Sequence, residues 1–234
     1  MTDPIEGIAF YAVFVFAVTV HEAAHAWAAM KGGDLTAYAG GQVSLDPIPH
    51  MRREPFGMVI VPIVTLILNG FPIGWASAPY DPNWAARHPR RAGWMALAGP
   101  GSNLALALLA AATIRIGVGA GHYAAPDAIG FTSVTSSLGA PGGIAAATAL
   151  LLSIFFSMNL LLFLLNMMPV PPLDGSGALV LLLPEAWALR WREQASQPFL
   201  ALIGLVVVWN LIPVIYSPVF LAVIGLLYPG VTYG

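Results

Sequence analysis

The chain contains no cysteine and very little charge. Only 9% of its 234 residues are Asp, Glu, Lys or Arg, whereas 58% are hydrophobic. A soluble domain carries about 25% charged residues, so a soluble globular fold is excluded and a lipid surrounding is expected. Lack of cysteine removes disulfides and thiolate metal sites together. Any metal must therefore be held by His, Asp or Glu. A net charge of −2 gives no clustered basic face, so no nucleic-acid partner is expected. Repeats, low-complexity tracts and charge blocks are also missing. The first residues are acidic, and no small-residue cleavage site follows the first apolar run. That run is expected to be a retained span, not a removable leader.

What is present is a series of long apolar stretches. Gly7 to Met30 covers 24 residues, about 36 Å as a helix and enough to cross a bilayer core. Ala92 to Ile114 and Ile144 to Met168 read as further spans. Pro198 to Tyr228 is interrupted by Asn210, Pro213 and Pro218 and admits either one kinked span or two shorter segments. Phe56 to Ala76 differs: it holds Pro62, Gly70, Pro72 and Gly74 with a β-branched run at Val59, Ile60, Val61, Ile63 and Val64. Such a segment suits one clean spanning helix poorly.

Basic residues discriminate between topologies. If Phe56–Ala76 crosses fully, the two richest basic loops fall on opposite faces and the positive-inside bias largely disappears. If it dips in and returns, eight of the nine Lys and Arg share one face and only Arg115 is left over. Irregular backbone at depth is tolerated where protein surrounds it. The expected fold is therefore an all-α polytopic membrane protein of about 4–6 transmembrane helices. A re-entrant, partly β hairpin is expected near residues 40–78, with the basic face in the cytoplasm. Residues 1–184 form the expected membrane-embedded core. Residues 185–234 add a cytoplasmic loop and a C-terminal transmembrane region.

The stretch "FAVTVHEAAHAWAAM" places His21, Glu22 and His25 inside an apolar span. On a helix, positions i and i+4 share a face, so His21 and His25 can reach one metal ion. Glu22 beside them suits a base that takes a proton from an activated water. Ionisable residues inside a span are costly and are functional by default. A catalytic zinc site takes three protein ligands, and Asp174 in "NMMPVPPLDGSG" is the best third candidate. Its Pro and Gly neighbours break the helix and allow the carboxylate to turn inward. Alone, Asp174 could equally cap the short segment that follows. His21 lies ten residues before Lys31, about 15 Å below the basic face. His50, His88 and His122 lie in loops without ligand spacing and are expected to be solvated.

Three motifs, HEAAH early, "AGPGSN" in the middle and "NMMPVPPLDG" later, resemble the site-2 protease family of intramembrane zinc metalloproteases. The resemblance implies one Zn2+ per chain, held by His21, His25 and Asp174, with Glu22 as catalytic base. It implies substrate or oxyanion contacts for Asn103 and Asn166, although close helix packing or backbone capping would use the same residues. Ser77 in "FPIGWASAP" stands where the resemblance leads one to expect lysine. Many relatives carry a PDZ or CBS domain, and neither is expected here. Regulation is accordingly expected from a separate partner.

The expected activity is hydrolysis of peptide bonds in or beside the transmembrane segments of other membrane proteins, as in regulated intramembrane proteolysis. The protein is expected in the cell (inner) membrane with its active site toward the cytoplasm. A transmembrane helix must unwind to be cut, and its freed backbone groups need partners. The segments "GGQVSL" and "FPIGWASAP" could offer an exposed edge for such pairing. The alternative is a non-catalytic membrane zinc-binding protein or metal transporter using the same cluster. A transporter would show further ligands along a path, and none is evident.

Overall fold

The computed structural model describes residues 3–140 and 142–233. Helix α1 runs from Pro4 to Gly32, begun by Asp3, whose carboxylate accepts from the Ile5 amide, and ended by Gly33 at φ 96°. Its buried residues include Phe10, Phe14, Ala17, Val18, His21 and His25, a spacing that lines one helical face. Short helices α2 (Thr36–Ala39) and α3 (Pro47–Arg53) follow. A π-helical turn, Phe56–Ile60, then leads into α4 (Val61–Asn69). After α5 (Pro82–Arg87) comes α6 (Pro89–Gly119). Strands β1 (Tyr123–Ala124) and β2 (Ser136–Ser137) pair antiparallel, and α7 spans Ile144–Asn166. The chain finishes with α8 (Asp174–Ala178), α9 (Glu185–Ala195) and α10 (Pro198–Leu227).

Helices α1, α6, α7 and α10 are long and apolar enough to cross a membrane. The protein is thus an integral membrane protein of the all-α class. The region from Pro198 is one continuous helix with Pro213 and Pro218 inside it, which resolves that ambiguity in favour of a single span.

Lipid is as apolar as leucine, so these helices gain little from the hydrophobic effect against one another. Close packing and interhelical hydrogen bonds hold them instead. Helix α6 packs on both α1 and α7, with small Ala17, Ala26, Ala29, Ala107 and Ala110 buried. Between the spans the Asn103 amide donates to Asn159 Oδ1 at 2.9 Å, a contact of a type worth about 0.6–2 kcal/mol. Helix α10 leans on this core through Phe220, Ile224 and Leu227, packed in one cluster with Ile114 and Phe156.

The segment expected to be a partly β hairpin is helical on its inward limb. Phe56–Asn69 is a 14-residue helix, about 21 Å long and too short to cross. Pro62 lies inside this continuous helix, just past its π-helical turn, and the carbonyl of Gly57 in that turn accepts from the return limb instead. Gly70 then turns the chain at φ 75°, and residues 71–80 return without regular structure. The return limb is tied back by Trp75 N–H to the Gly57 carbonyl (3.1 Å) and Ile73 N–H to Thr65 Oγ1 (2.8 Å). The hairpin is therefore a helix going in and an irregular strand coming back. β-branched residues surrounded by apolar neighbours adopted the helix, which satisfies its own backbone without a partner strand. The sole two-stranded pair among the described residues lies elsewhere, at β1 and β2.

This reversal gathers the basic residues. Arg91 donates to the Gly32 carbonyl, Arg53 to the Ser77 carbonyl, and Arg87 faces Asp81. Arg115 sits at the other end of α6 and donates to the Leu227 carbonyl. His50, expected to be solvated, is 1% exposed and bonds through Nε2 to the Ser44 carbonyl. The turn before α3 folds over it and removes it from water.

Candidate metal centre

His21 and His25 stand one turn apart on the inner face of α1, both buried. The Nδ1 of His25 lies 2.7 Å from the Met95 carbonyl. A carbonyl only accepts, so Nδ1 carries the proton and Nε2 a lone pair. The Nδ1 of His21 lies 2.6 Å from Asn103 Oδ1. The Asn103 amide nitrogen is committed to Asn159 Oδ1 at 2.9 Å and, at a longer 3.4 Å, to the Ala17 carbonyl. Its oxygen must then face His21, which fixes the same tautomer there. Such outer hydrogen bonds orient metal-binding histidines.

The two Nε2 atoms are 2.9 Å apart, and Asp174 Oδ2 lies 2.9 Å from His21 Nε2 and 3.2 Å from His25 Nε2. Three electron-rich atoms thus converge with no proton assigned between them. A shared proton relieves one of these contacts; a metal ion relieves all three. In a tetrahedral site with bonds of about 2.0–2.1 Å, neighbouring donors lie about 3.3 Å apart, close to the spacing here. Two imidazoles and one carboxylate form the donor set of a catalytic zinc site, with a fourth position left for water or substrate. His21, His25 and Asp174 form the one such cluster among the described residues.

Local sequence explains how the third ligand arrives. Met168 to Leu173 is irregular and contains three prolines, and α8 begins at Asp174 itself. The residue in the capping position is Leu173, with no side-chain cap bond. The capping alternative for Asp174 is thereby excluded: its carboxylate is spent on the histidines.

Helix α6 passes directly across the imidazoles. A Cβ built on Gly99 would strike Nε2 of both His21 and His25, so only glycine fits the "GPGSN" turn at this point. Met95, one turn before Gly99, and Asn103, one turn after it, then meet the two Nδ1 atoms. Asn103 is fully buried, with its polar atoms turned toward α1 and α7. Asn166 lies apart at the end of α7, donating to the Leu162 carbonyl of its own helix, and is not among the residues lining the cleft.

Glu22 is 5% exposed, and its Oε2 has no protein partner. It borders a cleft of about 460 Å³ together with His25, Asp174 and the return limb Ala76, Ser77, Ala78 and Tyr80. A buried carboxylate oxygen without a partner, on a residue that lines the same cleft as His25 and Asp174, suits a proton acceptor. The sequence marks Glu22 and all three donors. It does not mark Asn159, whose 56-residue separation from Asn103 leaves no local signal, nor the part played by α9, whose Trp191 and Arg192 also line the cleft.

Fold and donor cluster together suit a membrane metalloprotein, and the comparisons name its class as a zinc protease. The family model of peptidase family M50 matches residues 9–211, and the chain belongs to that family, the site-2 proteases. YwhC of Bacillus subtilis, which carries a provisional zinc-metalloprotease name, is 32% identical over 82% of this chain and 77% of its own length. Rip2 of Mycolicibacterium smegmatis, also provisionally named a zinc metalloprotease, is 26% identical over 76% of this chain. Rip2 of Mycobacterium tuberculosis is 27% identical over the same share. The matched part covers 61% of each Rip2. No solved structure matches the chain.

Proposed function

We propose that this protein hydrolyses peptide bonds within or next to transmembrane segments of other membrane proteins, on the cytoplasmic side of the cell membrane. The observation that carries the reading is the unsatisfied Glu22 Oε2, on a residue that lines one cleft with His25 and Asp174 of the His21–His25–Asp174 cluster.

His21, His25 and Asp174 hold the ion. Zinc bound there supplies Lewis-acid polarisation of a carbonyl and acidifies water. Glu22 accepts the proton from the attacking water and returns it to the leaving amine. Asn103, held by Asn159, keeps His21 in the ligating tautomer; this is a positioning role. Asn166 receives no catalytic role and secures the end of α7. Residues 1–184 carry the metal chemistry, and residues 185–234 close the cleft through α9 and the start of α10. Eight basic residues at the end toward which α1 and the hairpin exit support a cytoplasmic orientation.

The substrate must unwind, and its freed backbone needs hydrogen bonds. Ala76, Ser77, Ala78 and Tyr80 line the cleft from a stretch without regular structure, and pairing with its backbone would serve. A transporter reading is disfavoured, because no second donor cluster follows the first along a path among the described residues.

Mapping the cut by mass spectrometry in single-span substrates tests the proposal. New termini inside or within a few residues of the span are expected. Cuts confined to soluble loops far from the membrane would contradict it.

A further inference from the structure

Of the nine basic side chains, eight are exposed; Arg192 alone is half-buried. Most of the others have a visible occupation. Arg53, Arg91 and Arg115 donate to carbonyls, Arg87 faces Asp81, and Lys31 lies over the Trp27 ring. Arg52, Arg90 and Arg190 are exposed. Arg192 is in neither group. It lines the same cleft as Glu22, His25 and Asp174, and no hydrogen bond or ion pair to its side chain is found among the described residues.

Its position is built. The preceding residue, Trp191, donates its indole N–H to the Ser176 carbonyl at 2.7 Å, two residues beyond Asp174. That bond fastens α9 to α8 and brings its next residue, Arg192, to the cleft wall. Ala188, one turn back on α9, is buried and anchors the same helix. Arg190 on that helix remains exposed, so proximity to the basic end alone does not account for Arg192.

A guanidinium on a half-buried side chain, with five donors and no acceptor, gains most from a planar carboxylate that it can grip with two parallel bonds. Glu22 and Asp174 are engaged by the chemistry proposed above, and two carboxylates balance a doubly charged ion. Arg192 therefore leaves the loaded cleft with an excess positive charge. We propose that Arg192 forms a subsite for a carboxylate of the substrate peptide, so that the enzyme selects segments with an acidic group at one fixed distance from the scissile bond. The inference rests on the protease reading and names a substrate class within it. The carboxylate can belong to an Asp or Glu side chain or to a chain terminus.

The test uses the full-length protein in detergent and a set of single-span peptides. Each carries one Glu at a different position on the cytoplasmic side of the span, with Gln and Lys counterparts at the same place. A further peptide carries its only carboxylate at the C-terminus, with an amidated twin. Cleavage by wild type, Arg192→Ala and Arg192→Glu is measured. Binding of the same peptides to the Glu22→Gln variant, with and without Arg192→Ala, is read by fluorescence anisotropy.

One Glu position, or the free terminus, is expected to raise kcat/KM and affinity about tenfold over its neutral counterpart, as for a hydrogen bond to a charged group. Arg192→Ala should level that preference, so that acidic peptides and their neutral counterparts are bound and cleaved alike. Arg192→Glu should turn it toward Lys. Neutral and acidic peptides cleaved and bound alike by wild type would overturn the subsite and leave the protease reading standing. A preference unchanged in Arg192→Ala would overturn it as well. Charge-selective binding that depends on Arg192, with no cleavage of any peptide, would support the subsite and count against proteolysis.

Discussion

Asn103 accepts the Nδ1 proton of His21 at 2.6 Å from a side chain that is itself fully buried between three helices. The residue thus acts behind the metal site, not in the cleft. Its orientation depends in turn on Asn159, which accepts from Asn103 and donates to the Phe155 carbonyl of its own helix. This chain of amides fixes which nitrogen of His21 is offered to the ion.

Removing the acceptor at its far end should weaken the metal site without touching a ligand. Asn159→Ala is expected to lower zinc affinity about tenfold, the lower range for lost outer-sphere partners of metal ligands. Asn159→Asp keeps an acceptor in place and should retain affinity near wild type. A residue needed only for packing would give the opposite order, because a buried carboxylate is tolerated worse than alanine. Competition with a chromophoric chelator reads the affinities, and the ligand-field bands of a cobalt-substituted sample report the His21 geometry.

Gly99 and Gly101 differ by two positions in α6 and should differ sharply when replaced by alanine. A Cβ at 99 collides with both ligating nitrogens, whereas one at 101 meets nothing within 4 Å. Gly99→Ala is expected to abolish stoichiometric zinc binding while the helical circular dichroism is kept. Gly101→Ala should bind zinc as wild type does. Equal zinc contents would count against the close passage of α6 over the imidazoles.

Substrate pairing along residues 76–80 is checked with proline. Ala76→Pro removes one backbone N–H from the cleft wall and should slow cleavage about tenfold or more, in line with the loss of a bond that orients substrate. Zinc content should stay unchanged. Undiminished cleavage would show that the substrate backbone pairs elsewhere.

Asp34 sits just beyond α1, 4% exposed, and ties the loop after it to the approach to α5. Its carboxylate accepts from the Thr36 amide and hydroxyl and from the Asp81 amide. Burial alone would raise its pKa, but these hydrogen bonds outweigh it and hold the group below the usual carboxylate range. A depressed folded-state value means the stabilisation is present above the unfolded pKa of about 3.9 and is lost as pH falls through the folded one. Asp34→Asn should therefore melt below wild type near neutral pH, with the difference shrinking below about pH 4. A difference constant with pH would refute the ionised contact.

The candidate donor cluster was more legible in the sequence than the backbone that carries it. His21, Glu22 and His25 were legible because ionisable side chains at i and i+4 inside an apolar span are too costly to keep without a metal or a reaction to serve. Asp174 followed from its Pro- and Gly-rich setting. The hairpin was legible through charge, since only a returning segment puts Arg52, Arg53 and Lys31 on the side of Arg87, Arg90 and Arg91. Its secondary structure was not. Val59 to Val64 favour a strand by intrinsic preference, but a lone strand among apolar neighbours leaves its backbone unbonded, and the helix wins. Asn103 stood out as a polar residue in a span, yet its partners lie 82 and 56 residues away, and distance in sequence conceals direction. Arg192 resembles one more topology-setting charge until its burial separates it from the rest.

Comparing wild type with Glu22→Gln for cleavage of single-span substrates, while bound zinc is counted in both, bears most directly on the metalloprotease assignment. About one zinc per chain is expected in each, with cleavage only in wild type. Full cleavage by Glu22→Gln would contradict the assignment of Glu22, and absence of zinc from active wild type would contradict the metal centre itself.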